Sequence, residues 1–127
     1  MTAIGSVFIG VAVLVHAYIF VLESLRWTAP RTRATFGMSA VAAESTKEMA
    51  FNQGFYNLFL AVVAAVGLGF TVVGDEGIGL ALVLAGAGSM VAAGVVLLVS
   101  SPSKARPALI QLVPPLLGCL ALVIARL

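Results

Sequence analysis

Long stretches of apolar residues alternate along the chain with short polar breaks. A helix that crosses the hydrocarbon core of a bilayer needs about 20 predominantly apolar residues. The pattern therefore predicts four membrane spans, which cover residues 4–25, 51–73, 78–99 and 108–125. The first stretch lacks the basic start of a signal peptide and exceeds the roughly 7–15 apolar residues of its core, so we expect a retained span.

The breaks between these stretches are of three kinds. Residues 26–50 form a polar connector, residues 74–77 a tight acidic turn, and residues 100–107 a short turn rich in Ser, Pro, Lys and Arg. Residues 39–49 favour a helix and are expected to lead into the second span as a helical extension. The sequence thus predicts an all-α membrane protein, in which residues 1–127 form a single four-transmembrane-helix bundle.

Composition excludes several classes of protein. Hydrophobic residues make up 61% of the chain and charged residues only 9%, whereas a soluble domain carries about 25% charged residues. A soluble enzyme, a disordered tail and a nucleic-acid-binding module are therefore excluded. One histidine and one cysteine cannot supply the ligands of a zinc site, and no other feature suggests a metal, haem or flavin, so no cofactor and no nucleic-acid partner are predicted.

The basic residues predict the orientation of the bundle. Six of the seven lie in the connectors that follow the first and third spans. They are Arg26, Arg31, Arg33, Lys47, Lys104 and Arg106. Basic residues are retained on the cytoplasmic side, so these connectors are expected in the cytoplasm and both termini outside.

Small residues predict how the second and third spans pack, because they let helix backbones approach closely within lipid. Those of the third span that share one stripe are Ala81, Ala85, Gly88, Ser89 and Ala92. The second span offers Ala61, Ala64 and Ala65 on a similar face. The expected structure is an antiparallel hairpin that joins these two stripes.

Polar residues inside the spans are the candidate functional groups, since such groups are costly in lipid and face a bundle interior or a cavity. His16 and Glu23 are seven residues apart, which puts them within about 20° of one helix face and about 10 Å apart along the axis. Phe20 lies between them on that side. The spacing predicts that His16 and Glu23 line one groove, with no direct hydrogen bond between them.

The other candidates lie at the same depth in the second and fourth spans. Asn52, Gln53, Tyr56 and Asn57 follow one another in the second span, and Gln111 precedes the Pro114–Pro115 pair in the fourth. With Trp27 at the membrane interface, these residues predict one polar pocket between spans one, two and four, open toward the cytoplasm. The alternative for each is structural: a hydrogen bond between helices, a Glu23–Arg26 ion pair, or a proline kink.

The same residues carry a resemblance to a known family. The run from His16 to Glu23, followed by Trp27 to Arg31, resembles the first motif of a family of small bacterial four-helix membrane proteins of unknown function (family 1304). The runs 52–61, 91–94 and 111–115 resemble its later motifs. The resemblance covers nearly the whole chain and implies a multi-pass protein of the bacterial cytoplasmic (inner) membrane. It implies no reaction.

Three functions fit these residues, and whether the protein is an enzyme stays open. The first is a pocket for a lipid or other lipophilic small molecule, in which His16 and Glu23 carry out acid–base chemistry and the amides and aromatic rings orient the ligand. The second is a non-catalytic scaffold or accessory subunit. The third is a small proton-coupled exporter that uses Glu23. A chain of this size is compatible with a homo-oligomer.

Overall fold

Helices make up nearly all of the computed structural model, which describes residues 3–127. They are α1 (Ala3–Phe20), α2 (Pro30–Phe36), α3 (Ala40–Val72), α4 (Glu76–Ser100) and α5 (Ala105–Ile124). A π-helical turn, Val21–Leu25, continues α1, and a 3₁₀ turn, Pro102–Lys104, precedes α5. In this part of the chain, four helical segments are long and apolar enough to cross a membrane: Ala3–Leu25, Ala40–Val72, Glu76–Ser100 and Pro102–Ile124. The predicted all-α, four-span membrane fold is confirmed.

The four long helices form a ring in which each contacts two neighbours. α3 packs between α1 and α4, and α5 closes the ring by packing against α4 and α1. Neighbours run antiparallel. The core between them is apolar and consists of Ile9, Ala12, Ala61, Ala64, Val83, Ala87, Met90 and Leu122. We call the end of the bundle with residues 26–39 and 101–104 the connector end, and the end with residues 73–75 and 125–127 the hairpin end.

Glycines bring α3 and α4 together along their whole shared length. A Cβ atom on Gly67 would lie 2.7 Å from the backbone nitrogen of Val83, and one on Gly86 would lie 2.8 Å from the backbone nitrogen of Ala64. Such distances leave no room for a side chain, so the two backbones are in direct contact. The turn between the helices uses Gly74 at φ +97°, and the Asp75 carboxylate accepts a hydrogen bond of 3.0 Å from the backbone N–H of Ile78.

The stripe predicted for the third span was wrong. Ala81, Ala85, Ser89 and Ala92 are exposed and Gly88 is only half-buried, while Ala65 of the second span is also exposed. α4 instead buries the opposite stripe, which contains Gly79, Val83, Gly86, Ala87, Met90 and Gly94. Both stripes are small and apolar. The one with more glycines allows the closer approach, and a hydrophobic pattern cannot distinguish them.

α3 is longer than the other helices and extends past them at the connector end. Its 33 residues give a length of roughly 50 Å, against about 30 Å for the hydrocarbon core. It begins after Ser39, whose hydroxyl oxygen accepts a hydrogen bond of 3.1 Å from the backbone N–H of Ala42, as an N-cap does. Residues 40–49 are therefore a helical extension, as the sequence pattern predicts.

Candidate functional site

The last turn of the first span is a π turn, Val21–Leu25, and it decides where Glu23 points. A π turn closes its hydrogen bonds over one more residue than an α turn. Residues within and after it are therefore displaced around the axis from the positions that an unbroken α-helix would give them. His16 precedes the turn and lies on the buried stripe with Ile9 and Ala12, whereas Glu23 lies within it and faces α3.

Glu23 is bound to α3 by a hydrogen bond from an amide. The Asn57 side chain donates to Glu23 Oε2 at 2.8 Å and also to the carbonyl oxygen of Gln53 at 3.2 Å. Both donors of that amide are thus used, and the carboxylate keeps other lone pairs for further donors. Glu23 is half-buried, so its carboxylate remains reachable from one side.

Two further contacts hold the π turn against α3. The Ser24 hydroxyl donates to the carbonyl oxygen of Phe51 at 2.8 Å. Gly54 makes room for this approach, since a Cβ atom there would lie 2.9 Å from the backbone nitrogen of Ser24. The close contact that the glycine permits is thus made by the hydroxyl and the backbone of Ser24 in the π turn.

The connector folds back along the extension of α3. The Trp27 indole N–H donates to the Thr46 hydroxyl at 3.0 Å, and that hydroxyl donates to the carbonyl oxygen of Ala42 at 2.7 Å. The Trp27 ring also packs against Phe36 of α2, with ring centroids 5.2 Å apart. Trp27 is thereby fixed as a wall beside the part of α3 that extends past α1.

A groove of about 520 Å³ lies between the π turn, Trp27 and the first turns of α3. Its charged walls are Glu23, Glu44, Lys47 and Glu48. Its apolar walls include Leu25, Trp27 and Phe51. The volume falls within the roughly 300–1,000 Å³ of small-molecule sites in proteins. Three carboxylates against one ammonium make the groove rich in hydrogen-bond acceptors.

Aromatic rings continue from the groove toward the centre of the membrane. Phe51 and Phe55 have centroids 5.1 Å apart, and Phe55 meets Phe20 edge to face at 5.0 Å. Phe59 follows Phe55 at 6.2 Å. The polar groove is therefore joined to an apolar aromatic surface that spans α1 and α3.

The structure brings four of the candidate residues together and places the others elsewhere. Phe20, Glu23, Trp27 and Asn57 all lie at the boundary between α1 and α3 at the connector end. His16 is 1% exposed and is not among the residues that line the groove. Its ring Nδ1 bonds the carbonyl oxygen of Ala12 at 2.9 Å. Gln111 on α5 is half-buried and is likewise not a groove residue.

The remaining candidates on α3 face outward. Asn52, Gln53 and Tyr56 are exposed, and the Asn52 amide donates to the carbonyl oxygen of Glu48 at 3.0 Å, one turn back on its own helix. They do not line the groove.

Several residues of the site were absent from the sequence prediction. Ser24 and Thr46 make hydrogen bonds between α1 or the connector and α3, and Glu44, Glu48 and Phe51 line the groove. The Glu44, Lys47 and Glu48 cluster was visible in the sequence as charges on the helical extension. Its role as a wall depends on the folding back of Trp27, for which the sequence gives no signal.

These features define a class: a multi-pass helical membrane protein with a polar, acidic groove at one end of a four-span bundle. A family model described as "Protein of unknown function (DUF1304)" matches residues 10–123. The match runs from within the first span to the last turn of the fourth and includes the connector, and the chain belongs to this family. The comparisons with curated proteins and with solved structures found no match.

Proposed function

We propose that the protein binds a lipophilic small molecule, with the polar head of the ligand in the groove and its apolar part along the aromatic surface. The observation that carries the proposal is the position of Glu23, which lines the groove while Asn57 holds its carboxylate from the side of α3. Carboxylates only accept hydrogen bonds when ionised. The preferred head is therefore one that donates them, such as an amine or a hydroxyl.

The arrangement of polar and apolar walls supports an amphiphile over a water-soluble ligand. Glu44 and Glu48 lie on the extension of α3, and Phe51 leads from them to Phe55 and Phe20. A ligand that enters from the lipid can therefore keep its chain in the bilayer. Any acid–base step on its head would fall to Glu23, because His16 does not line the groove.

The test uses Trp27, which lines the groove and is the only tryptophan of the chain. Bromine atoms quench indole fluorescence at contact distance. The full chain in detergent micelles is titrated with dibromo-octadecylamine and with the matching alcohol. We expect saturable quenching of Trp27 by both, stronger for the amine. Glu23→Gln removes a charge-assisted hydrogen bond worth about 1.5–3 kcal/mol, which weakens amine binding by about tenfold or more.

Two phenylalanines of α3 provide a matched control for this titration. Phe51→Leu changes a wall of the groove, and Phe70→Leu changes a ring of comparable exposure at the hairpin end. Phe51→Leu should weaken binding and Phe70→Leu should leave it unchanged. Quenching that does not saturate, and that is the same in all variants, would mean that the probe only dissolves in the micelle, and the proposal would fail.

A non-catalytic scaffold is the second candidate, favoured by the same hydrogen bonds. Glu23, Ser24 and Trp27 each bond α3 or its extension, so these polar residues could serve to pack helices alone. The scaffold hypothesis predicts that Glu23→Gln and Thr46→Val reduce stability, while neither the brominated amine nor the alcohol binds the unmodified chain. The exporter hypothesis stays a prediction. It is not favoured by a Glu23 two residues from the end of its span, because transporter sites lie near the midplane.

We also propose that the connector end faces the cytoplasm, in a bacterial cytoplasmic membrane. The proposal rests on the six basic residues at that end, against Arg126 alone at the other. In a Cys119→Ser background, a single cysteine is placed at Ser103 or at Gly77. A membrane-impermeant maleimide added to intact cells should label Gly77→Cys and not Ser103→Cys. The reverse labelling would contradict the orientation.

A further inference from the structure

His16 is a buried polar side chain whose hydrogen bonding is incomplete. Nδ1 lies 2.9 Å from the carbonyl oxygen of Ala12, and because a carbonyl only accepts, the proton must be on Nδ1. Nε2 is then an acceptor. Within residues 3–127, the bond to Ala12 is the only hydrogen bond of this ring, although the residue is 1% exposed. In residues 3–127 the fully enclosed side-chain polar atom without a partner is Arg33 Nε, so His16 Nε2 keeps a small accessible surface at which a donor from outside the chain can approach.

The residue that faces this acceptor follows from the contact between α1 and α5. Ile9 packs on Gly118, where a Cβ atom would lie 3.2 Å from the Ile9 backbone nitrogen. His16 comes seven residues after Ile9, and Gln111 comes seven residues before Gly118. Seven residues are nearly two full turns of an α-helix, so each pair shares a face. Because α1 and α5 are antiparallel, His16 and Gln111 lie at the same depth on facing surfaces.

Gln111 is as incompletely bonded as His16. The described residues make no hydrogen bond to its side-chain amide, although the residue is half-buried. The backbone carbonyl oxygen of Gln111 also lacks its usual helical partner, because Pro115, four residues later, has no N–H to donate. The side-chain amide of Gln111 can both donate and accept, and its backbone carbonyl can accept. Both therefore lie opposite His16 Nε2, which can only accept.

We propose that His16 and Gln111 form an internal site that holds one hydroxyl group between α1 and α5. The hydroxyl donates its proton to His16 Nε2, and its oxygen accepts a hydrogen bond from the Gln111 amide. A hydroxyl has the one donor and two acceptor positions that this pair requires. The hydroxyl belongs to a water molecule or to a lipophilic alcohol. The site is independent of the groove, which neither residue lines.

The single histidine of the chain makes the site directly observable. The full chain, labelled with ¹⁵N-histidine, is reconstituted in lipid bilayers and studied by solid-state ¹H–¹⁵N correlation. We expect a proton bonded to Nδ1 and a close, exchangeable hydroxyl proton at Nε2. With either source, the hydroxyl correlation disappears in D₂O. If added dodecan-1-ol supplies it, correlations to the carbon-bound protons of the alcohol appear as well. Either source supports the site.

Two glutamine variants test which residue completes the site. Gln111→Leu should remove at least half of the hydroxyl correlation and shift Nε2 toward an unbonded imidazole. Gln53→Leu, which changes an exposed glutamine of α3, should do neither. The proposal is overturned if Nε2 correlates with the Gln111 amide protons, if no exchangeable proton lies near Nε2, or if Gln111→Leu changes nothing. The measurement on the unmodified chain decides the first two points even if that variant does not fold.

Discussion

α3 makes two interfaces of opposite character, one with α4 and one with α1. Against α4 the two backbones are in direct contact at Gly67, Gly79 and Gly86. Against α1 and the connector, at the connector end, it consists of hydrogen bonds from Ser24, Trp27 and Asn57. Close packing needs no directional groups, whereas at the connector end the close approach at Gly54 is local and hydrogen bonds supply the rest of the contact.

The difference has consequences for local stability. The glycine contact between α3 and α4, which we call the seam, is buried along several turns. It can therefore open only together with the rest of the bundle. The interface at the connector end is half-exposed and rests on a few bonds, and such regions open at lower free energy than a core does. A ligand site belongs in the second kind of region, because binding needs a surface that can be reached from outside.

The largest effect is expected at the seam. In Gly67→Ala the new Cβ would lie 2.7 Å from the Val83 backbone nitrogen and 2.8 Å from the Gly79 carbonyl oxygen, and backbone atoms of two packed helices cannot move aside cheaply. The free energy of unfolding should fall by about 1–3 kcal/mol, measured by SDS titration in mixed micelles with circular dichroism. Gly69→Ala, with nothing within 4 Å, should be neutral or gain up to about 1 kcal/mol. Equal losses in both variants would contradict the close seam.

The bond between Glu23 and Asn57 should give the next largest effect. Glu23→Ala and Asn57→Ala, alone and together, form a double-mutant cycle with an expected coupling of about 1–1.5 kcal/mol, the upper part of the range for a hydrogen bond within a protein. The double variant should therefore lose less stability than the two single losses combined. In the control cycle, Asn52→Ala replaces Asn57→Ala, because Asn52 bonds its own helix. That cycle should be additive, and coupling of equal size in both cycles would rule out the assignment.

A smaller and more local effect is expected for Thr46→Val. The substitution keeps the shape of the side chain and removes the acceptor of the Trp27 N–H, at a cost of about 0.5–1.5 kcal/mol. Trp27 fluorescence should shift to longer wavelength at a lower denaturant concentration than the loss of helix content. The Ser45 hydroxyl bonds the Ala42 carbonyl oxygen of its own helix, so Ser45→Ala should leave the two transitions as they are in the unmodified chain. Coincident transitions in Thr46→Val would show that the connector end does not open by itself.

The smallest effect is expected at the hairpin end. Arg126 and Glu76 form an ion pair at 3.1 Å, with side chains 37% and 56% exposed. Exposed pairs contribute little, so Arg126→Gln should change the free energy of unfolding by less than about 0.5 kcal/mol. A loss as large as that of Gly67→Ala would mean that the charge, and not the glycine seam, fastens this end.

The spans were predictable because apolar length alone determines them. The extension of α3 was also predictable, since Ser39 can cap a helix and the residues after it favour one. Which stripe of α4 is buried against α3 could not be predicted. All faces of that helix are small or apolar, and the choice depends on the shape of α3, where Gly67 and Ala64 provide the matching surface.

The candidate site could be predicted only in part. Polar residues in spans are few, so Glu23, Asn57 and His16 stand out in any reading of the sequence. Their assignment to one face assumed an unbroken α-helix through Val21–Leu25, and the π turn there changes the direction of Glu23. Nothing in those five residues forces a π turn. It depends on the hydrogen bond of Ser24 to Phe51 and on the space at Gly54, which are tertiary features.

The length of α3 makes the position of the groove sensitive to the thickness of the bilayer. The helix is continuous from Ala40 to Val72, and glycine contacts fix it to α4, so its extension cannot change height independently of the bundle. A thicker bilayer would draw the extension into the headgroup layer, while a thinner one would leave Glu44 and Glu48 in water. The depth of the groove relative to the lipid therefore depends on the thickness of the bilayer. The same acidic groove would meet different parts of a lipid in membranes of different composition.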